Sequence, residues 1–220
     1  MPRPLPATIA IDGPAASGKT TVGQAIARAF GYAFLDTGLM YRAVTLAALR
    51  AGAEATAEAM RRFLPALDMR VEVSGEDTEV YIDGERVTAR LRDPDVEANV
   101  SRYSAIPEVR EAMVRRQREI ARRGRSILAG RDIGTVVLPT APLKLYLDAS
   151  EDARARRRGE QATQPAEDAR KDIASRDTID STRKLNPLRP AEDAIVIDTT
   201  EMSLEQVISL ALEKVQCASD

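Results

Sequence analysis

A chain of 220 residues can bury a substantial core as one domain, and 32 lysines and arginines against 34 aspartates and glutamates exclude the overall basic field of a nucleic-acid binder. With no histidine and Cys217 as the only cysteine, neither a disulfide framework nor a zinc site on the usual ligands can be built, and a reducing, cytoplasmic interior is the expected compartment. The proline-rich start from Met1 to Pro6 has no apolar core of signal length and no later run approaches membrane-spanning length, so no membrane is expected as a partner.

The first predicted element is a short buried strand, Thr8-Ile9-Ala10-Ile11-Asp12. It runs into Gly13-Pro14-Ala15-Ala16-Ser17-Gly18-Lys19-Thr20, which fits the P-loop pattern. Val22, Ala25, Ile26, Ala29 and Phe30 then fall at helical spacing, and Gly31 supplies the stop. Strand, glycine-rich turn and helix is the order that aims backbone N–H groups and a positive helix end at a polyphosphate. Gly18 lets the backbone approach closely, Lys19 reaches the outer phosphates as a mobile charge, and the Thr20 hydroxyl is placed to hold magnesium. The nucleotide-binding run extends to Thr21.

Tyr32-Ala33-Phe34-Leu35 predicts a second strand, after which Asp36-Thr37-Gly38 opens a helix through Tyr41, Val44 and Leu49 to Gly52, with Thr37 as its cap. A helix starting directly after a strand leaves unpaired N–H groups at the edge where open α/β sheets bind ligands. Tyr41 and Arg42, one turn in, fit a second ligand beside the P-loop or, equally, an ordinary core tyrosine and a solvated arginine. From Glu54 to Pro94 the texture changes. A helical stretch ending near Leu64 gives way to strands Met69–Val73 and Glu79–Ile82, with turns at Gly75-Glu76-Asp77 and Asp83-Gly84. This small antiparallel insertion carries no catalytic-looking cluster and reads as a mobile flap or a packing element near the second ligand.

Val109, Met113 and Ile120 mark a long helix starting near Pro107, with Arg115, Arg116, Arg118, Arg122 and Arg123 on a face expected to be solvated. Ser126-Ile127-Leu128-Ala129 is another buried strand, delivering Gly130-Arg131-Asp132 at its carboxyl end; the Arg-Asp pair fits a ligand there or an internal ion pair. Leu143–Asp148 and Ala194–Asp198 bring the count to about five strands separated by helices, which predicts a parallel sheet. Between them, Arg154, Arg157 and Arg158 lie at i, i+3 and i+4, and Arg176, Asp180 and Arg183 at i, i+4 and i+7, so each set shares a helix face. With Gly159 to Pro165 as a loop, the two helices form either a lid over phosphates or a salt-bridged surface hairpin. The last helix, Leu204 to Val215, is amphipathic and is expected to pack on the sheet.

Taken together, the chain resembles the nucleoside monophosphate kinases, and specifically the bacterial cytidylate kinases, from about Ala7 to Val215. The resemblance is carried by the P-loop, by Leu35-Asp36-Thr37-Gly38 with Tyr41-Arg42, by Ser101 with Pro107 and Arg110, by Gly130-Arg131-Asp132-Ile133-Gly134-Thr135, and by Arg176-Asp177 with Asp180 and Arg183. It implies an α/β P-loop kinase fold: a central parallel sheet flanked by helices, a small antiparallel acceptor-side insertion at residues 54–94, and a short helical lid with the following helix at 151–183. The core would then be 7–53, 95–150 and 184–216 of a single domain. It also implies ATP and magnesium at the P-loop and phosphorylation of CMP or dCMP by in-line transfer, in a chain acting as a monomer.

On that resemblance Arg42, Arg131 and Arg183 gather the acceptor phosphate, Thr37, Tyr41, Arg176 and Asp180 lie near the sugar, and Asp36 belongs to the same substrate-binding set. Ser101, Arg110 and Asp132 read the base, and Lys19 with Arg154, Arg157 and Arg158 stabilises charge on the transferred group. Cytosine offers an amino donor to a carboxylate such as Asp132, whereas uracil presents an oxygen there. Two departures stand out: Ala129 replaces an acidic residue frequent in relatives, and Thr37 replaces a serine. Rival readings are a kinase of AMP, UMP or shikimate; a GTPase switch, for which neither Asp-x-x-Gly nor Asn-Lys-x-Asp is present; and a nucleic-acid binder, which would need aromatics among its arginines.

Overall fold

The computed structural model describes residues 4–162, 166–183 and 185–218. In β1 (Thr8–Asp12), Ile9, Ala10 and Ile11 are wholly buried, as in a strand covered on both faces. The following loop leads into α1 (Lys19–Phe30), which stops where Gly31 takes φ 69° and returns its N–H to the Ala27 carbonyl at 2.8 Å. Tyr32 belongs to that stop, its own N–H also reaching Ala27, so β2 is only Ala33–Asp36. The cap of α2 (Thr37–Arg50) is Asp36 and not Thr37: the carboxylate accepts from the Gly38 N–H at 3.0 Å. Thr37 is already the first helical residue, and its hydroxyl donates to the Ala129 carbonyl at 2.8 Å.

After α3 (Ala57–Phe63) comes an antiparallel sheet of β3 (Met69–Ser74), β4 (Asp77–Ile82) and β5 (Glu85–Arg86). Asp83 and Gly84 both take positive φ, 50° and 79°, which suits a two-residue hairpin turn to the twist of its strands. The contacts of this sheet are those of a packing element. The Thr78 hydroxyl donates to the Phe34 carbonyl at 2.7 Å and accepts from the Asp36 N–H at 3.1 Å, and the Gly75 carbonyl accepts from Phe34 at 2.8 Å. The free edge of β2 is thereby covered.

Prolines sit in the first turn of both α4 (Pro94–Ser104), a helix the sequence pattern did not announce, and α5 (Pro107–Ala121). The outer face of α5 is not wholly solvated, because Arg118 donates to the carbonyls of Val137 and Val136 at 3.0 and 2.7 Å. Fully buried β6 (Ser126–Gly130) is followed by a π-helical turn over Ile133–Val137 and by β7 (Leu143–Asp148). Then come α6 (Glu151–Ala162) and α7 (Ala166–Thr182). The loop expected to begin at Gly159 does not begin there. Helix α6 runs through Gly159 to Ala162, at a cost of about 1 kcal/mol against alanine, and residues 163–165 lie outside the described part. The chain closes with β8 (Ile195–Asp198) and α8 (Leu204–Cys217), which starts on a reciprocal Ser203–Gln206 capping box.

The large sheet is parallel throughout, in the order β2-β6-β1-β7-β8. Side-chain alternation splits the core between its faces. Ala10, Leu35 and Leu128 meet Met40, Val44, Val109 and Met113 of α2 and α5, while Ile9, Ile11, Phe34, Ile127 and Leu145 meet Val22, Ile26, Val207 and Ala211 of α1 and α8. All five carboxyl ends fall on one edge, which places Asp12, Asp36 and Gly130 side by side, and the candidate site is built there.

Close packing of α1 on β2 depends on a missing side chain. A Cβ on Gly23 would lie 2.1 Å from Phe34 Cε2 and 2.7 Å from Cδ2, in a ring that is itself buried. Gly23→Ala is expected to lower stability by ~1–3 kcal/mol in denaturant unfolding; an unchanged midpoint would show that the ring has room to move.

Candidate active site

The loop after β1 turns sharply through residues of positive φ. Gly13 has φ 147°, and a Cβ there would lie 2.1 Å from the Leu147 carbonyl oxygen, so only glycine lets the chain leave β1 so close to β7. Ala16 (φ 58°) and Gly18 (φ 93°) are left-handed, and α1 begins without a side-chain cap. Unpaired N–H donors at a helix start within such a turn form an anion cradle. Lys19 is buried, its ammonium donating to the Pro14 carbonyl at 2.5 Å and to Ser17 Oγ at 3.2 Å. Burial first, and the Arg131 guanidinium second, push its pKa well below the usual lysine range, against the pull of Asp36, Asp12 and Asp177. The Thr20 hydroxyl donates to Asp36 Oδ2 at 3.1 Å. These hard oxygens suit a magnesium ion, which keeps most of its shell for water and phosphate. Thr21 follows on α1, partly buried.

Two helices clamp this loop. Arg154 of α6 donates to the Ala149 carbonyl at 2.9 Å and the Ala15 carbonyl at 3.3 Å and pairs with Asp177 of α7, whose other oxygen accepts the Ala15 N–H at 3.3 Å. The three arginines of α6 take separate partners. Arg157 turns to Thr199 at the end of β8, donating to its Oγ1 at 2.9 Å and its carbonyl at 2.6 Å, while Arg158 pairs with Glu97. Helical spacing gives the arginines a common side of α6, but each side chain is long enough to choose its own partner.

Beside the loop runs a chain of buried charges. Arg131 Nε meets Asp180 Oδ2 at 2.8 Å, and Arg183 lies 3.5 Å from both Asp180 and Asp132. Asp132 Oδ2 is 2.5 Å from Arg110, which is almost fully buried, donates to the Ser104 carbonyl at 3.2 Å and stands 5.4 Å over the Tyr41 ring. Burial raises the Tyr41 phenol above its usual pKa. Arg110 Nε and Arg183 Nη2 are buried without a hydrogen-bond acceptor. A polar ligand with acceptor atoms fits that deficit.

Arg42 and Arg176, expected with the acceptor, are gathered on one carboxylate. Glu97 of α4 takes Arg42 Nε at 2.7 Å, Arg158 Nη2 at 3.0 Å and Arg176, which also donates to the Glu97 backbone carbonyl at 3.0 Å. Burial would raise the Glu97 pKa, but Arg42 and Arg176 outweigh it and hold it at about 2. Ser101 lies one turn further along α4, between Glu97 and the Ser104 carbonyl that binds Arg110. Glu97 was missed because α4 was, and its contacts lie 55 to 79 residues away in sequence. Asp12 was also missed as a polar group, reading only as the tail of an apolar run. It is buried, accepts from the Ile133 and Gly134 N–H groups at 2.7 Å each, and has a pKa pushed up to about 6, chiefly by burial. It thus ties the start of the P-loop to the turn that follows Asp132.

Residues 9–217 match a family model described as cytidylate kinase. A protein named cytidylate kinase from Mycolicibacterium paratuberculosis is 48% identical over 207 residues, 91% of each chain, and one from Shouchella clausii is 43% identical over 214 residues, 94% of this chain and 95% of that one. A crystal structure of a gluconokinase from Sinorhizobium meliloti matches with a TM-score of 0.52 and 16% identity, over 99% of this chain and 95% of that one, a likeness of fold alone.

The depressed Glu97 pKa carries a sign. A carboxyl held below its unfolded value of 4.5 stabilises the fold fully above about pH 4.5, and that contribution disappears as the pH falls toward about 2. Glu97→Gln is therefore expected to show a shallower loss of stability across this window than the unsubstituted chain. Parallel curves would mean that Glu97 titrates normally.

Proposed function

The chain belongs to the cytidylate kinase family, and on that premise we propose that its cleft carries the terminal phosphoryl group of ATP to CMP or dCMP, giving CDP or dCDP. Support comes above all from Arg131. It is a principal charge acting on Lys19 of the P-loop and is joined through Asp180 and Arg183 to Asp132 and Arg110, so the donor and acceptor sides meet at one side chain. Kinases of AMP, UMP or shikimate are not favoured by the family match.

The backbone from Gly13 to Thr21 receives the ATP phosphates, with Lys19 leaving its Pro14 and Ser17 partners to follow the charge of the transferred group. Magnesium would be held by Thr20, with Asp36 beside it, and would supply neutralisation of phosphate charge. Arg131 and Arg183 hold the acceptor phosphate, joined by Arg42, while Arg176 turns to the sugar, as both exchange Glu97 for substrate. Tyr41 and Asp180 face the sugar, and Thr37, its hydroxyl committed to Ala129, positions the start of α2. An oxygen of the acceptor phosphate attacks the terminal phosphorus in line as ADP leaves. No general base is required, because a phosphate monoester with second pKa near 6 is already ionised at neutral pH. Positioning and charge neutralisation supply the rate. Arg154 fixes the P-loop through Ala15, and Arg157 anchors α6 to Thr199 while the lid excludes water.

For the base, Asp132 retains acceptor capacity beyond its two arginines for the cytosine amino group, while Arg110 and Ser101 donate to the ring acceptors. Uracil would set an oxygen against the Asp132 carboxylate, a mismatch of about 1–3 kcal/mol. The enzyme is read as acting as a monomer. Among the described residues no helix is long and apolar enough to cross a membrane.

With magnesium ATP, ADP release is expected with CMP and dCMP, much more slowly with UMP, and hardly at all without acceptor; a preference for AMP would reject the cytosine assignment. Lys19→Ala should lower kcat by ~100-fold or more with the fold intact, and unchanged turnover would remove Lys19 from the chemistry. Asp132→Asn should narrow the ratio of CMP to UMP kcat/KM, whatever its effect on stability. A constant ratio would show that the base is read elsewhere.

A further inference from the structure

Glu97 is the only carboxylate among the described residues that takes three arginines at once, and those arginines come from three different helices. Arg42 lies on α2, Arg158 on α6 and Arg176 on α7, while Glu97 itself projects from α4. All four side chains are mostly buried, with 13% of the Glu97 side chain exposed and 16 to 21% of its partners. Three guanidinium groups this close repel one another, so they need an anion at their centre. Two of them, Arg42 and Arg176, are groups assigned above to the acceptor nucleotide. Donors that would receive the acceptor's phosphate and sugar are thus aimed at a carboxylate of the chain itself.

We propose that Glu97 is an internal stand-in for the acceptor's phosphate: it pins the lid helices α6 and α7 to α4 and is displaced from Arg42 and Arg176 when CMP binds. The inference rests on the functional reading above and deepens it. A carboxylate brings one negative charge, whereas the phosphate monoester brings about −1.5 to −2 and three acceptor oxygens. The phosphate therefore wins the exchange, but pays for breaking the Glu97 contacts. A nucleoside without phosphate has nothing to offer the arginines and leaves Glu97 in place, so the exchange selects nucleotides over nucleosides. Glu97 acts through the arginines and is a positioning residue, not a catalytic one.

Two isolated changes test this. Glu97→Gln keeps the shape and removes the charge, so the arginines stand ready without a competitor. The KM for CMP is expected to fall several-fold, with the KM for ATP unchanged, and inorganic phosphate should become a stronger competitor of CMP. Glu97→Asp keeps the charge and should hold the KM for CMP near that of the unsubstituted enzyme. A merely structural Glu97 predicts the reverse, a raised or unchanged KM for CMP in Glu97→Gln, and that result overturns the proposal. Should Glu97→Gln be too unstable to assay, its thermal unfolding decides: inorganic phosphate should raise its midpoint more than it raises that of the unsubstituted chain, and an equal or smaller shift counts against the stand-in. Absence of CMP turnover in the unsubstituted enzyme would instead reject the functional reading, so the two failures are distinguishable.

Discussion

Positive charge packed along the carboxyl edge of one sheet is the constraint on which the rest of this structure depends. Lys19, Arg42, Arg110, Arg131, Arg154, Arg158, Arg176 and Arg183 approach that edge from the P-loop, from the strand end after β6 and from helices on both sides of the cleft. A buried cation without a partner costs several kcal/mol. Each arginine is accordingly met by a carboxylate: Glu97 for Arg42, Arg158 and Arg176, Asp132 for Arg110 and Arg183, Asp180 for Arg131, and Asp177 for Arg154.

Such pairs add little net stability, since desolvation offsets most of their attraction, but they fix geometry. Asp177 shows how. It is paired with Arg154 and accepts the Ala15 N–H, so the position of α7 and the shape of the phosphate loop are set together. Asp180 does the same for Arg131 and Arg183, one turn along the helix. Helices α6 and α7 therefore meet the core through ion pairs as well as through the apolar contact of Ala155 and Ile173 with Ala15.

Much of this was legible in the sequence because the relevant signals are local. Glycine spacing after a short apolar run identifies the P-loop, and buried strands show as runs of Ile, Val and Leu. The misreadings have local causes as well. Thr37 looks like a cap, yet the Asp36 carboxylate reaches the Gly38 amide from one residue earlier, and Gly159 looks like a break although α6 continues through it. Shared spacing on α6 placed Arg154, Arg157 and Arg158 together, whereas their partners are Asp177, Thr199 and Glu97. Glu97 itself had no local signature. Its role exists only once α2, α6 and α7 are folded around α4, and Asp12 acquires its two backbone donors only when the turn after Asp132 packs against β1.

The central claim is that donor and acceptor phosphates meet within this arginine-lined edge. A crystal structure with CMP and a non-hydrolysable ATP analogue bound together tests it most directly. The CMP phosphate is expected against Arg131 and Arg183, with an oxygen about 3–3.5 Å from the terminal phosphorus of the analogue held by Gly13 to Thr21. Nucleotides in separate pockets, too far apart for transfer with α6 and α7 folded inward, would contradict it.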